Sequence, residues 1–168
     1  LLRDTKLVEI LENYGKVEFV GSYALDLMMS GDIDIDVISD GGFTRDETLA
    51  IYSEIFRATD RFEEYRIGHW DTREAYYIGL KSKIEGESWS IDVWLYSPEV
   101  VERLRSGVPV LEAIRRDGLK PEQRTAILRI KSEAKERSIY VRGISVYEMV
   151  VERGVRTLKE LETELERG

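Results

Sequence analysis

Between residues 31 and 38 the chain alternates without a break. Ile33, Ile35 and Val37 fall on one side, and Asp32, Asp34 and Asp36 on the other. A period of two is that of a β-strand with one buried face, so this segment is read as a strand. Upstream, in the stretch 1–14, Leu7, Val8, Ile10 and Leu11 recur at helical spacing, and Gly15 stands where a left-handed cap ends a helix. Val17, Phe19 and Val20 then form a short strand that runs into Gly21-Ser22, and a short helix is expected through Ala24, Leu25, Leu27 and Met28. Thr44 is the expected N-cap of a helix reaching about Thr59, with Leu49, Ile51, Tyr52, Ile55 and Phe56 inward. Three β-rich runs follow at 64–70, 75–84 and 88–96, the last two reading as a hairpin. From Ser97-Pro98 onward the pattern is helical, with breaks at Gly107-Val108-Pro109, at 118–121 and near Gly143. The final helix or helix pair, interrupted by Gly154, turns Val155, Leu158, Leu161 and Leu165 inward and its acidic run at 160–166 outward.

These elements describe one compact α+β unit. Residues 1–97 are expected to form the core and residues 98–168 a C-terminal helical appendage packed on it. The 168 residues suffice for a single sizeable core. No apolar run approaches the ~18 residues that a membrane-spanning helix requires, so no membrane association is expected. The chain starts at Leu1 without a Met, which leaves room for a removed targeting segment, although nothing in the chain itself resembles one. The absence of cysteine excludes disulfides and thiolate metal sites and fits a reducing, cytoplasmic location. A formal charge of -8 argues against a broad face for duplex DNA and mildly against tRNA. Small substrates are favoured over long nucleic acid, while a local cationic patch for phosphate remains compatible with the charge.

The aspartate row changes this picture from architecture to chemistry. Neighbouring carboxylates on one strand face repel one another and raise each other's pKa unless a cation intervenes. A further carboxylate, Asp92, shares its strand face with Ser90 and Trp94, opposite Trp89, Ile91, Val93 and Leu95. Paired beside the first strand, it would complete a cluster of hard oxygen donors suited to Mg²⁺ or Mn²⁺, and two such ions can activate a hydroxyl and stabilise a departing pyrophosphate. Gly21-Ser22, at a strand-to-helix turn, offers close backbone approach, unpaired N–H groups and a hydroxyl donor to phosphate oxygens.

Less specific readings stand beside these. An EF-hand loop would need Gly at its sixth position and Glu at its twelfth, where this chain has Val37 and Phe43. Alternating aspartates also suit the wet face of an edge strand. His69, the single histidine, reads as structural or exposed, and Trp70, Tyr76 and Tyr77 as packing residues. Lys81 and Lys83 on one strand, or Arg124, Lys131 and Lys135 on one helix face, are either solvated charge or triphosphate contacts; Lys131 is taken as the nucleotide-binding candidate.

Gly21-Ser22-Tyr23-Ala24, the Asp-Ile-Asp run and the later Trp89-Ser-Ile-Asp92-Val-Trp94 strand together resemble the signature of the DNA polymerase beta-like nucleotidyltransferase superfamily, over roughly residues 17–96. The resemblance implies a mixed β-sheet flanked by helices, the nucleotidyltransferase fold. It also implies two divalent ions between an Asp pair and a third Asp, and transfer of a nucleoside monophosphate from a nucleoside triphosphate to a hydroxyl. The pair is either Asp32 with Asp34, favoured by the Ser30-Gly31 turn, or Asp34 with Asp36; Asp92 is the third carboxylate. Leu25-Asp26 departs from the basic residue and Gly that many relatives carry there. The acceptor is left open among a small molecule, an RNA end and a protein. A partner protein or homo-oligomer is compatible with the chain, and the alternative reading is an antitoxin-like or nucleotide-binding regulatory module with the same fold and little turnover, which a copurifying second polypeptide would favour.

Overall fold

A computed structural model describes residues 2 and 4–167. Among them the strands are β1 (Lys16–Val20), β2 (Gly31–Ile38), β3 (Glu64–Trp70), β4 (Ala75–Ile84) and β5 (Glu87–Tyr96). The helices are α1 (Leu7–Glu12), α2 (Gly21–Ala24), α3 (Arg45–Ala58), α4 (Pro98–Ser106), α5 (Pro109–Asp117), α6 (Pro121–Glu136), α7 (Gly143–Glu152) and α8 (Leu158–Arg167). A single 3₁₀ turn, Asp71–Arg73, links β3 to β4. The first helix begins at Leu7, and the Leu1 end of the stretch from which it was expected lies outside the described residues. No helix among the described residues is long and apolar enough to cross a membrane.

The described strands form one five-stranded mixed sheet in the order β1-β2-β5-β4-β3. β2 and β5 run parallel, and the other neighbouring pairs are antiparallel. A parallel neighbour requires a crossover, which the long connection through α3 supplies. The β4–β5 hairpin closes through Glu85-Gly86, both at positive φ (53° and 86°), the geometry of a type I′ turn that matches strand twist.

Two compact units emerge, each with its own core. The first spans residues 1–24 and 30–104. On one sheet face Ile33, Ile35, Val37, Ile78, Leu80, Ile91, Val93 and Leu95 are buried together with Leu7, Ile10 and Leu11 of α1 and Ile51 and Ile55 of α3. Thr44 caps α3 as expected: its hydroxyl accepts from the Glu47 N–H at 3.2 Å while the Glu47 carboxylate accepts from the Thr44 N–H at 2.8 Å. Leu49 and Phe56, expected inward, are instead exposed. The buried face of α3 runs through Thr48, Ile51 and Ile55, and Phe56 packs on the rings of Tyr52 and Tyr65. A smaller cluster joins Val100 and Val101 of α4 to Ala75 and Tyr96.

The second unit holds residues 105–168 together with the short segment 25–29. Its core draws on Val110, Ile114, Ile127, Ile130, Val146, Val150, Leu158 and Leu161, and Leu27 is completely buried among them. The helix expected through Met28 therefore ends at Ala24. Asp26 turns the chain at a φ of 55°, and Leu27 joins a different core from the one its neighbours serve. Three cations of α6 secure the segment: Arg124 donates to the Asp26 carbonyl at 2.8 Å, Lys131 Nζ to the Leu27 carbonyl at 2.7 Å, and Lys135 Nζ to the Met29 carbonyl at 3.2 Å. At the chain's end Val155, Leu158 and Leu161 are buried as expected, whereas Leu165 is 46% exposed, one turn past the core.

Ile35 lies in the centre of the sheet with no exposed surface. Replacing it with Ala should lower stability by about 2–5 kcal/mol through lost burial and a residual cavity, read as a shift in the urea midpoint of the first unit's unfolding.

Candidate active site

The parallel register of β2 and β5 sets Asp34 directly abreast of Asp92, Asp32 abreast of Ser90 and Asp36 abreast of Trp94. All of these side chains stand on the sheet face opposite the core, because Ile33, Ile35 and Val37 occupy the other parity of β2. The structure thus brings together the four aspartates named from the sequence. Antiparallel pairing adds Glu18 of β1 beside Asp36, held by Lys16 Nζ at 2.7 Å. Crowding shows in Asp34, whose carboxyl is pushed from its ordinary 3.8 up to about 6, first by burial and then by the charges of Asp32, Asp92 and Asp36, with Arg73 opposing.

Gly21 ends β1 against this row. It adopts a φ of 62°, and a Cβ at this position would collide with Asp34 Oδ2. Backbone conformation and space both demand glycine, so the turn lies in direct contact with the central carboxylate. Ser22 follows in α2, which is only four residues long. Lys131 stands on α6 with its ammonium at the Leu27 carbonyl and 5.8 Å from the centroid of the Tyr147 ring.

Asp92 has a partner that the sequence reading assigned to packing: the Tyr77 hydroxyl donates to Asp92 Oδ1 at 2.6 Å. Burial and this bond to a carboxylate both push the phenol well above its ordinary range. Tyr77 reaches Asp92 because Gly79, abreast of Asp92 on β4, leaves room beneath the ring; a Cβ on Gly79 would strike the Tyr77 hydroxyl. Trp70, also expected to pack, is 44% exposed and stands at the end of β3 against Tyr77 and Trp94. Arg73 lies 4.2 Å from the centroid of the Trp94 ring and donates to the Tyr96 hydroxyl at 3.4 Å. A signal for Tyr77 was present in the chain: a two-residue Glu85-Gly86 turn fixes Ile84 opposite Glu87, and counting back pairs Gly79 with Asp92. No comparable signal marks Arg73, which lies in a turn. His69 is exposed, with Nδ1 2.8 Å from Asp71 Oδ1, in keeping with the structural or exposed role expected of it.

Among the described residues no three His, Cys, Asp or Glu side chains already converge as a metal cage. The donor set nevertheless fits a hard divalent cation. Carboxylates on two adjacent strands crowd one another, and Ser90 Oγ and Tyr77 Oη each occupy a single oxygen, of Asp32 and of Asp92.

No family model matches the chain, and no curated protein matches it in sequence. Solved structures do. The polymerase core of TRAMP, an RNA surveillance complex, superposes with a TM-score of 0.62 at 20% identity, covering 88% of this chain and 45% of that one. The Cid1 poly(U) polymerase bound to Mg and 3′-dATP gives 0.65 at 19%, covering 88% and 46%. A cytoplasmic RNA terminal U-transferase gives 0.63 at 20%, covering 89% and 45%. The chain therefore spans a little under half the length of these structures. What the chain shares with them is the fold, a mixed sheet flanked by helices with further helices C-terminal to it.

The raised Asp34 pKa has a definite sign in stability. The folded state binds this proton more tightly than the unfolded chain, so the group's contribution is most favourable below 3.8, falls as pH rises through about 6, and leaves a deficit above it. Without divalent ions, Asp34→Asn should be more stable than wild type at neutral pH by about 1–3 kcal/mol. The gap should close as pH falls through that window, as followed by thermal melts in chelator.

Proposed function

We propose that the protein is a divalent-metal-dependent nucleotidyltransferase that moves a nucleoside monophosphate from a nucleoside triphosphate to an acceptor hydroxyl. The observation that carries this reading is Asp34 set abreast of Asp92 on parallel strands, with Gly21 pressed against the Asp34 carboxylate. The shared fold supports it, since the solved structures include a poly(U) polymerase with Mg and 3′-dATP bound.

Asp32, Asp34 and Asp92 would hold the ions, Mg²⁺ or Mn²⁺, with Asp36 in reserve one step along β2. When bound, such ions neutralise triphosphate charge and lower the pKa of a coordinated hydroxyl. The chain's own groups do the rest. Gly21, lacking a side chain, lets phosphate oxygens approach the backbone beside Asp34, and Ser22 contributes a hydroxyl donor. Lys131 is proposed as a nucleotide contact on its charge. Tyr77 holds Asp92 through Oδ1, which leaves Oδ2 to face an acceptor. In the transfer the acceptor oxygen bonds to the α-phosphorus, the bond from that phosphorus to the pyrophosphate oxygen breaks, pyrophosphate leaves, and the hydroxyl proton passes to Asp92 Oδ2 and on to water. Positioning and charge stabilisation carry such a reaction, with no covalent intermediate on the protein.

Titration calorimetry with each nucleoside triphosphate, with and without Mg²⁺, tests the reading. Wild type should bind only with the ion present, and Asp34→Ala, while still folded, should lose that binding and at least a hundredfold of transfer activity. Undiminished transfer by Asp34→Ala would exclude the mechanism.

A further inference from the structure

The helix α3 buries a single face. Thr48, Ile51 and Ile55 enter the first unit's core. At about 3.6 residues per turn, the side chains directly opposite are those of Asp46, Ser53 and Arg57, flanked by Ala50 on one side and by Leu49 and Phe56 on the other. Ser53 is half-buried, its hydroxyl donating back to the Leu49 carbonyl at 2.7 Å, and the other five are exposed. Leu49 and Phe56 leave 44% and 56% of their surface in water. Phe56 rests against Tyr52 and Tyr65, yet more than half of it remains uncovered by its own chain.

Along this face the charges are opposite in sign and evenly placed. Asp46 stands in the first turn and Arg57 in the last. Both are equally far from the point between Ile51 and Tyr52, and so are Ala50 and Ser53. Among the described residues, neither the Asp46 carboxylate nor the Arg57 guanidinium has an ion-pair or hydrogen-bond partner in its own chain. A face with opposite charges at equal distances from its centre is complementary to itself, the condition for an interface built on a two-fold axis. A partner of another sequence would have to reproduce that pattern.

We propose that the exposed face of α3 is a dimer interface, on which a second copy of the chain lays its own α3 antiparallel about a two-fold axis between Ile51 and Tyr52. Asp46 of each helix then meets Arg57 of the other, at both ends of the contact. Ala50 faces Ser53 in the middle, where two small side chains let the helices approach closely. The two-fold keeps like flanks together, so Leu49 of each copy packs on Phe56 of the other, offset by about 3 Å along the axis. The apolar pair supplies the attraction, and the charged ends fix the direction and register. With 14 residues, α3 is about 21 Å long, a contact at the small end of specific interfaces, which makes the dimer reversible. Because α3 packs on the sheet face opposite the aspartates, the pairing leaves both carboxylate clusters uncovered by this contact. The inference therefore stands apart from the transfer reading.

Sedimentation equilibrium of the full chain over a range of concentrations tests the pairing. Wild type should show a reversible monomer–dimer equilibrium that weakens as salt screens the end pairs. Asp46→Arg or Arg57→Asp alone sets like charges against each other at both ends and should weaken dimerisation by about tenfold or more. Both changes in one chain restore the pairs with their signs exchanged and should recover most of the affinity, which also excludes misfolding as the cause of the single losses. Leu49→Glu, which sets a carboxylate against Phe56 of the other copy, should leave the chain monomeric. A wild type that stays monomeric throughout, its α3 face then open to a different protein, would overturn the proposal. So would single reversals that dimerise like wild type, or a double reversal as weak as the singles.

Discussion

Two carboxylates held side by side on parallel strands, Asp34 and Asp92, are the constraint around which the first unit is built. At the roughly 5 Å between neighbouring strands, two like charges repel by roughly 1–3 kcal/mol for an effective dielectric between 80 and 20. What holds them there is the opposite face of the same two strands. Ile33, Ile35, Val37, Ile91, Val93 and Leu95 are all buried in one core, and each such side chain contributes about 1.5–3 kcal/mol. The burial outweighs the repulsion severalfold. A slip of one residue in β2 would send the isoleucines to the wet face and the aspartates into the core, so the hydrophobic pattern itself keeps the aspartates on the face where Asp92 stands.

Space, rather than charge, decides what surrounds the pair. Gly21, Gly68 and Gly79 each lie beneath a side chain on the sheet face that carries the aspartates: the Asp34 carboxylate, the Trp70 ring and the Tyr77 ring. In strands a glycine ordinarily weakens packing and leaves the backbone open. Here the lost side-chain volume is refilled by a neighbour's functional group, which is thereby held close to the backbone. The arrangement around the carboxylates therefore depends on absent atoms as much as on present ones.

This explains what the sequence disclosed and what it hid. Period-two alternation exposed β2 and β5 together with the face of each aspartate, because alternation is a local property that one buried face enforces. The capping box at Thr44 and Glu47 was legible for the same reason. Tyr77 and Trp70 were read as packing because a strand aromatic looks the same whether its ring lies in the core or over a glycine two residues away on its own strand. The pairing set by the Glu85-Gly86 turn is what puts Tyr77 within reach of Asp92. Leu49 and Phe56 fit a helical stripe wider than the face α3 actually buries. Arg73 left no trace at all, since its place over Trp94 comes from a turn joining two strands and from no periodicity.

The segment 25–29 was misread for a deeper reason. Leu25, Leu27 and Met28 continue the apolar spacing of a helix that starts at Gly21, and nothing local says that the chain changes cores between Ala24 and Leu25. Leu27 is drawn out of the helix by burial in the second unit's core, and the turn at Asp26 is stabilised by Arg124, which meets both its carbonyl and its carboxylate. Lys131 and Lys135 then satisfy carbonyls at Leu27 and Met29 that a continuing helix would have bonded to its own N–H groups. The chain between the glycine turn and the carboxylate strand is thus shaped by residues about a hundred positions away. Without α6, Leu27 would lose its core and these carbonyls their donors. The path from Gly21 to Asp32 is a property of the whole chain, which explains why a local reading could find both ends of it and still miss the middle.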